Sequence, residues 1–108
     1  MIAVHNLPQN QMVIEVSGDF DAETATLTRD QFEEIAATHI GDITIDLAHS
    51  KFLGSSGIGA IVFLYKRLKA RNQNLGICGA SGQPIEIIKM LRIDRAIDVR
   101  TNSDWSIS

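Results

Sequence analysis

The chain has 108 residues, of which 44% are hydrophobic and 21% charged, and its formal net charge is −3 at pH 7. These proportions are typical of one globular domain with its own core, and they exclude a mainly disordered chain. The single cysteine, Cys78, excludes a disulfide framework. The basic residues form no basic face, which argues against direct nucleic-acid binding. Because neither a signal-peptide pattern nor an apolar run of spanning length is evident, we expect a cytoplasmic protein that does not bind membranes.

Two strands and a helix are predicted at the start of the chain. Apolar residues around positions 2–5 and 11–16 predict two strands joined by a turn at 7–10. Asp21 is a good N-cap for a helix that runs to about Thr38, because its carboxylate can accept a bond from an N–H group of the first turn. One face of this helix carries residues at helical spacing: Ala25, Thr28, Phe32, Ile35 and Ala36.

Strands then alternate with helices along the rest of the chain. The predicted elements are a strand at 43–47, a helix at 58–71, a buried strand at 75–78, a helix at 85–91 opened by Pro84, and a strand at 97–100. The core-facing stripe of the middle helix is predicted to hold Ile58, Ile61, Val62, Tyr65 and Leu68. Phe63 and Leu64 lie off this stripe, so the helix is either buried more broadly or exposes an apolar patch that a partner can use.

This alternation predicts a single α/β domain over residues 1–108. Short connections between strands and helices imply a mixed sheet of about four to five strands, covered by at least three helices. We expect the core to lie within about residues 11–100. The polar segment 101–108 is expected to be a loosely held tail.

Gly54-Ser55-Ser56-Gly57 separates the strand at 43–47 from the following helix. Two hydroxyls therefore lie at the start of a helix, where unpaired N–H groups and the helix dipole favour negative charge. From the residues alone, the serines are candidates for a helix cap, a nucleophile or a phosphate acceptor.

Enzymatic interpretations of this turn fit poorly. A nucleophile elbow needs glycine where Ile58 stands, and Val62 stands where a dinucleotide-binding loop needs its last glycine. The three histidines, His5, His39 and His49, have neither a triad arrangement nor metal-ligand spacing. We therefore expect no catalytic residue, no cofactor and no metal site.

Three segments of the chain resemble bacterial STAS domains of the anti-sigma-factor-antagonist type. The first is Asp46-Leu47-Ala48-His49-Ser50-Lys51-Phe52-Leu53-Gly54-Ser55-Ser56-Gly57-Ile58-Gly59. It is similar to the family signature of a strand ending in an Asp- or Asn-containing pair, a loop with a Phe, and Asp-Ser-Ser/Thr-Gly-Leu-Gly opening a helix. Gly18 to Ala25 is similar to the family's Gly-Glu-Leu-Asp-x-x-Thr-Ala, and Pro84 to Asp94 resembles its third helix and the following turn. The resemblance covers about residues 13–99.

The resemblance implies a partner-switching regulator with no catalysis of its own. Unphosphorylated, such a domain binds a serine protein kinase that is often also an anti-sigma factor, and so frees that kinase's client. Phosphorylation of the first serine of the motif breaks the association, and a separate phosphatase restores it. On this chain the implied acceptor is Ser55, with Ser56 as second candidate. The implied partner-binding residues are Asp21, Asp46, Gly54, Gly57, Ile58 and Gly59.

The chain departs from the family pattern in two places, and the first of them favours an alternative function. Gly54 replaces the family's acidic residue, which removes a carboxylate beside the acceptor. The family also usually ends in a further helix, whereas residues 102–108 are short and polar, so that end is either rudimentary or contacts a partner through Trp105. The alternative is a constitutive interaction module in a signalling or transport assembly, with the serines acting only as helix caps.

Overall fold

The computed structural model describes residues 1–103 and Trp105. The elements follow in chain order: β1 (Ile2–Leu7), β2 (Gln11–Ser17), α1 (Ala22–Thr38), β3 (Ile43–His49), α2 (Ser55–Lys69), β4 (Leu75–Cys78), α3 (Gln83–Met90), a 3₁₀ turn (Ile93–Arg95) and β5 (Asp98–Val99). The alternation of strands and helices predicted from the sequence is confirmed. The largest differences are that α2 begins at Ser55 and that β5 has only two residues.

The five strands form one mixed sheet in the order β1-β2-β3-β4-β5. β1 pairs antiparallel with β2, and the pairs from β2 to β5 are parallel. At the centre of the sheet Ile14 lies opposite Ile45, which in turn lies opposite Ile77. The carboxyl ends of the parallel strands therefore meet at one edge, where α1, α2 and α3 begin.

One face of the sheet carries the hydrophobic core. Alternate residues of the strands point into it, as the period of two in a strand requires: Met12, Ile14, Val16, Ile43, Ile45, Leu47, Leu75 and Ile77. Phe32 of α1, Leu64 of α2 and Ile88 of α3 join the same cluster. All three helices therefore lie on this face, as right-handed connections between successive parallel strands require.

The buried stripe of α2 differs from the predicted one. Its buried residues are Gly57, Ile61, Leu64 and Leu68. Leu64 is 0% exposed, whereas Ile58, Val62 and Tyr65 are only partly buried. Phe63 packs against the core and lies 5.0 Å under the Arg67 guanidinium. The buried surface of α2 is thus wider than one stripe, because the sheet contacts one side of the helix and α1 contacts another.

The opposite face of the sheet is covered in part by the segment after β5. The N–H of Gly79 donates to the carbonyls of Arg100 and Asn102, at 3.0 and 2.8 Å. Beyond them, the indole N–H of Trp105 donates to Oδ2 of Asp46 at 2.6 Å. The expected loose tail is therefore attached to the sheet at Trp105, while residues 104 and 106–108 lie outside the described residues. Within the described chain, no helix combines the length and the apolar character needed to cross a bilayer.

Candidate functional site

The segment Gly54 to Gly57, called the serine turn here, lies at the edge of the sheet where α2 begins. Gly54 is the N-cap of α2, with extended backbone angles of φ −92° and ψ 177°, and no side chain caps the helix. Ser55 and Ser56 are the first two helical residues, and both are exposed. The interpretation of these serines as helix caps is wrong. Gly54 holds the N-cap position, and both serines already lie within the helix. Neither hydroxyl is hydrogen-bonded to another described residue.

Unpaired backbone donors surround the two hydroxyls. The first helical bond of α2 runs from the N–H of Ile58 to the carbonyl of Gly54, at 2.9 Å. The N–H groups of Ser55, Ser56 and Gly57 precede this bond and have no backbone partner in the helix. The first turn of α2 contains no acidic residue, so no carboxylate of this helix itself offsets the positive end of its dipole. This end of α2 is suited to a negative charge added to a serine.

The loop before the serines is held from two sides. The N–H of Phe20 donates to the carbonyl of Phe52 at 2.8 Å, and the N–H of Gly54 donates to the carbonyl of Phe20 at 3.0 Å. On the other side the Gln83 amide accepts from the N–H of Leu53 at 2.8 Å and donates to its carbonyl at 3.0 Å. Phe20 and Leu53 are buried. The serines therefore follow a backbone segment whose position is well determined.

Gln83 holds the loop before the serines, and the sequence did not reveal this contact. It begins α3 and lies 30 residues along the chain from Leu53, so no local pattern connects the two. At this point of the chain the sequence indicated only that Pro84 opens a helix.

Asp21 lies close to the serine turn and caps α1. Its Oδ1 accepts from the N–H of Thr24 at 3.0 Å, as predicted for an N-cap. This backbone bond is the main cause that lowers the pKa of Asp21 below its usual value. Asp21 follows Phe20, whose carbonyl holds Gly54, so the first turns of α1 and α2 are neighbours.

Two other predicted partner-binding residues are buried. Asp46 is 2% exposed and lies on the sheet face opposite the helices, with Oδ1 accepting from the N–H of Ala48 at 2.9 Å and Oδ2 accepting from Trp105. Gly57 is buried against Phe20. The expectation that Asp46 and Gly57 contact a partner directly does not fit their burial, so their contribution to the site is structural.

Gly54, Ile58 and Gly59 lie around the exposed serines. A Cβ atom at Gly54 would be 3.0 Å from Cε2 of Phe52, whose ring is 42% exposed. The aromatic ring therefore crowds a side chain at position 54 and would have to shift by a few tenths of an ångström to admit one. Gly59 has the opposite surroundings, since no atom lies within 4 Å of the Cβ that alanine would add. Ile58 is half-buried and packs against the core.

A groove of about 450 Å³ runs between α1 and α2 beside the serines. Ala25 and Phe32 line it from α1, and Ser56, Gly59 and Phe63 line it from α2. Ser55 does not line the groove, so the two adjacent serines have different surroundings. Among the described residues, no group of three or more His, Cys, Asp or Glu side chains is arranged to hold a metal ion.

A STAS domain family model matches residues 2–104, and the chain belongs to the STAS domain family. The anti-sigma F factor antagonist of Paenibacillus polymyxa is 23% identical over 92 residues, which cover 84% of this chain and 79% of that protein. An anti-sigma factor antagonist from Mycobacterium paratuberculosis has a TM-score of 0.82 at 22% identity, covering 93% of this chain and 84% of that one. SpoIIAA of Bacillus in its phosphorylated form has a TM-score of 0.74 at 14% identity, covering 92% of this chain and 90% of that one. The curated relatives that the chain matches at 23–25% identity are thus named as anti-sigma factor antagonists.

Proposed function

We propose that this protein is a phosphorylation-controlled partner switch. Unphosphorylated, it binds a serine protein kinase of the anti-sigma type and thereby releases that kinase's client. Phosphorylation of Ser55 ends the association, and a phosphatase restores it. The observation that carries the proposal is the position of Ser55: an exposed hydroxyl without a hydrogen-bonded partner among the described residues, at the first helical position of α2.

The electrostatics of α2 support a switch that does not disturb the fold. A phosphoserine carries a charge of about −1.5 to −2 at pH 7. At the N-terminus of α2 the helix dipole stabilises such a charge by about 0.3–1 kcal/mol. In a protein interface, the same charge must be desolvated or matched, which opposes binding. The modification therefore acts on the complex rather than on the domain.

The surroundings of the two serines favour Ser55 as the acceptor. Ser56 lines the groove between α1 and α2, so its hydroxyl faces residues of α1. Ser55 lies outside that groove and follows a loop held by Phe20 and Gln83. A well-positioned and accessible hydroxyl is the better substrate for in-line phosphoryl transfer.

The partner surface proposed here surrounds Ser55. It consists of Asp21 at the start of α1 and Gly54, Ile58 and Gly59 around the start of α2. Because nothing occupies the space beside Gly59, an atom of the partner can approach the helix backbone there. A phosphate on Ser55 would lie within this surface, where it would meet the partner directly.

Binding and labelling experiments test the proposal. The cognate serine kinase is expected to bind the unphosphorylated protein, and Ser55→Asp is expected to weaken that binding at least about tenfold, which is about 1.4 kcal/mol. In the presence of ATP, mass spectrometry should detect phosphate on the wild type and on Ser56→Ala but not on Ser55→Ala. Equal affinity of the wild type and Ser55→Asp would contradict the proposal.

The ring of Phe52 over Gly54 favours one second candidate, a constitutive interaction module. That arrangement makes the surface before the acceptor apolar, where an acidic residue would otherwise stand beside the hydroxyl. A stable complex that ATP does not dissociate, together with no labelling of Ser55 or Ser56, would establish this candidate instead.

A further inference from the structure

The sheet face opposite the helices contains a recess that holds the indole of Trp105. We define the indole recess by five residues on β1, β2, β3 and β4: His5, Val13, Glu15, Asp46 and Cys78. The strand register brings them together. His5 lies opposite Val13, and Asp46 has Glu15 on one side and Cys78 on the other.

Trp105 reaches across the middle of this recess. Its ring lies 4.7 Å from the imidazole of His5 on β1, and its N–H donates to Asp46 on β3. Because β2 lies between these two strands, the indole must lie over β2. Val13 of β2 points to this face and is 1% exposed. The recess therefore has an apolar floor, an aromatic wall and a hydrogen-bond acceptor.

The acceptor makes the recess selective for an N–H donor. Asp46 is 2% exposed, and its Oδ1 is already bonded to the N–H of Ala48. If a ring that lacks an N–H group fills the recess instead of the indole, Oδ2 loses this hydrogen bond while it stays shielded from water. A buried carboxylate oxygen that lacks a donor is costly, whereas a charge-assisted N–H bond is strong. An aromatic ring without an N–H group cannot satisfy this oxygen.

Two further contacts lie beside the indole in the recess. The carboxylate of Glu15 lies 3.2 Å from Nε2 of His5, which orients the imidazole against which the indole packs. The Cys78 thiol lies beside Asp46 and is 0% exposed. Burial and the neighbouring Asp46 carboxylate raise the pKa of Cys78 from 9.0 to about 11.

We propose that the indole recess is a binding site for a tryptophan side chain, which Trp105 of the same chain occupies. The site is separate from the serine turn, because Asp46 and Trp105 lie on the sheet face that the helices leave free. It is therefore independent of the partner-switching function proposed above. Binding of the chain's own Trp105 is favoured because a short linker joins it to β5. The linker gives the Trp105 side chain an effective concentration at the recess on the order of millimolar.

Chemical rescue by free indole tests the site, with Cys78 as the reporter. Cys78 is the only cysteine of the chain, so the rate of its reaction with a thiol reagent reports on one position. Trp105→Gly should raise this rate at least about tenfold, since solvent and the thiol reagent then reach the recess beside Cys78. Indole at about 1–10 mM should return the rate toward that of the wild type. Indole should leave the wild-type rate unchanged, because Trp105 already fills the site.

The control ligand is 1-methylindole, which has the same ring system but no N–H group. It should protect Cys78 at least about fivefold less than indole does, because it leaves Oδ2 of Asp46 without a donor. Equal protection by the two compounds, no protection by either, or an unchanged rate in Trp105→Gly would overturn the proposal. If circular dichroism shows that Trp105→Gly does not fold, Trp105→Phe replaces it. That variant keeps a ring against His5 but lacks the N–H, and a labelling rate equal to that of the wild type would then overturn the proposal.

Discussion

Two glycines two residues apart in α2 have opposite surroundings. A Cβ atom at Gly57 would lie 2.5 Å from the carbonyl oxygen of Phe20 and 2.9 Å from Cδ1 of Leu53. A Cβ atom at Gly59 would meet nothing within 4 Å. Gly57 therefore allows the first turn of α2 to pack against the backbone of Phe20, which places Ser55 beside the start of α1. Gly59 has no such role within the fold.

Alanine substitutions at these two glycines should change stability in opposite directions. Gly57→Ala should lower the free energy of unfolding by about 1–3 kcal/mol, because the helix must move away from Phe20. Gly59→Ala should raise it by about 0.5–1 kcal/mol, because alanine restricts the unfolded chain and favours the helix. Urea unfolding of both variants measures this. A stabilised Gly57→Ala would contradict the packing described for α2.

Asp21 should make the stability of α1 depend on pH. Its bond from the N–H of Thr24 lowers the pKa of the folded state below the usual 3.8. The stabilisation is therefore complete above that usual value and is lost as the pH falls through the lower, folded-state pKa. Asp21→Asn keeps an acceptor but does not titrate. The difference in unfolding free energy between the wild type and Asp21→Asn should be constant from about pH 7 to about pH 4 and shrink below it. A constant difference down to about pH 2.5 would refute this role.

At the scale of elements, α3 positions the loop that precedes α2. The Gln83 side chain forms two hydrogen bonds with the backbone of Leu53, much as a neighbouring strand would. Because Leu53 is 1% exposed, water cannot replace these bonds. The position of the serines therefore depends on a helix that contributes no residue to the exposed surface around them.

Removal of this amide should loosen the loop. Gln83→Met keeps the length of the side chain but leaves the N–H and carbonyl of Leu53 unpaired, which should cost about 1–3 kcal/mol of stability. Hydrogen exchange at the Leu53 amide should become at least about tenfold faster. The matched control is Gln31→Met, at an exposed position of α1, with an expected change within about 0.5 kcal/mol. Equal effects of the two substitutions would show that Gln83 does not hold the loop.

At the scale of the whole molecule, the fold can accept a negative charge at Ser55 but not at Ser50. Ser55 is exposed at the start of α2, whereas Ser50 is 5% exposed and its hydroxyl donates to the carbonyl of Phe52 at 3.3 Å. The two residues are close in the chain but differ in access to solvent. A charge at Ser50 would have to enter the folded interior.

Aspartate substitutions at Ser55 and Ser50 should differ in their effect on stability. The difference distinguishes a charge that the fold tolerates from one that unfolds the domain. Ser55→Asp should keep the thermal midpoint or raise it slightly, because the dipole of α2 contributes about 0.3–1 kcal/mol. Ser50→Asp should destabilise by at least about 2 kcal/mol, because a buried charge lacks a partner. At about 4–8 °C per kcal/mol, differential scanning calorimetry resolves the two outcomes. A large loss of stability in Ser55→Asp would indicate that the modification acts by unfolding.

Local patterns predicted the elements well, and contacts between distant residues were not predictable. The N-cap at Asp21 and the strand at Ile43 follow from neighbours within a few residues. The burial of Leu64 was not predicted, because it depends on which sides of α2 the other elements cover. Periodicity within one helix does not determine this. The contacts of Gln83 with Leu53 and of Trp105 with Asp46 join residues 30 and 59 positions apart. The serine motif was found because its residues are consecutive, whereas the residues that hold it are not.

The order of the strands in the sheet also has a consequence for how the chain folds. Each strand lies beside the one that precedes it in the sequence, so no strand is inserted between two earlier ones. Sheet growth can therefore proceed from the N-terminal hairpin in the order of synthesis, with each new helix covering the strands already paired. Pairing between sequential neighbours also lowers the mean sequence separation of contacts, which favours rapid folding for a largely parallel sheet.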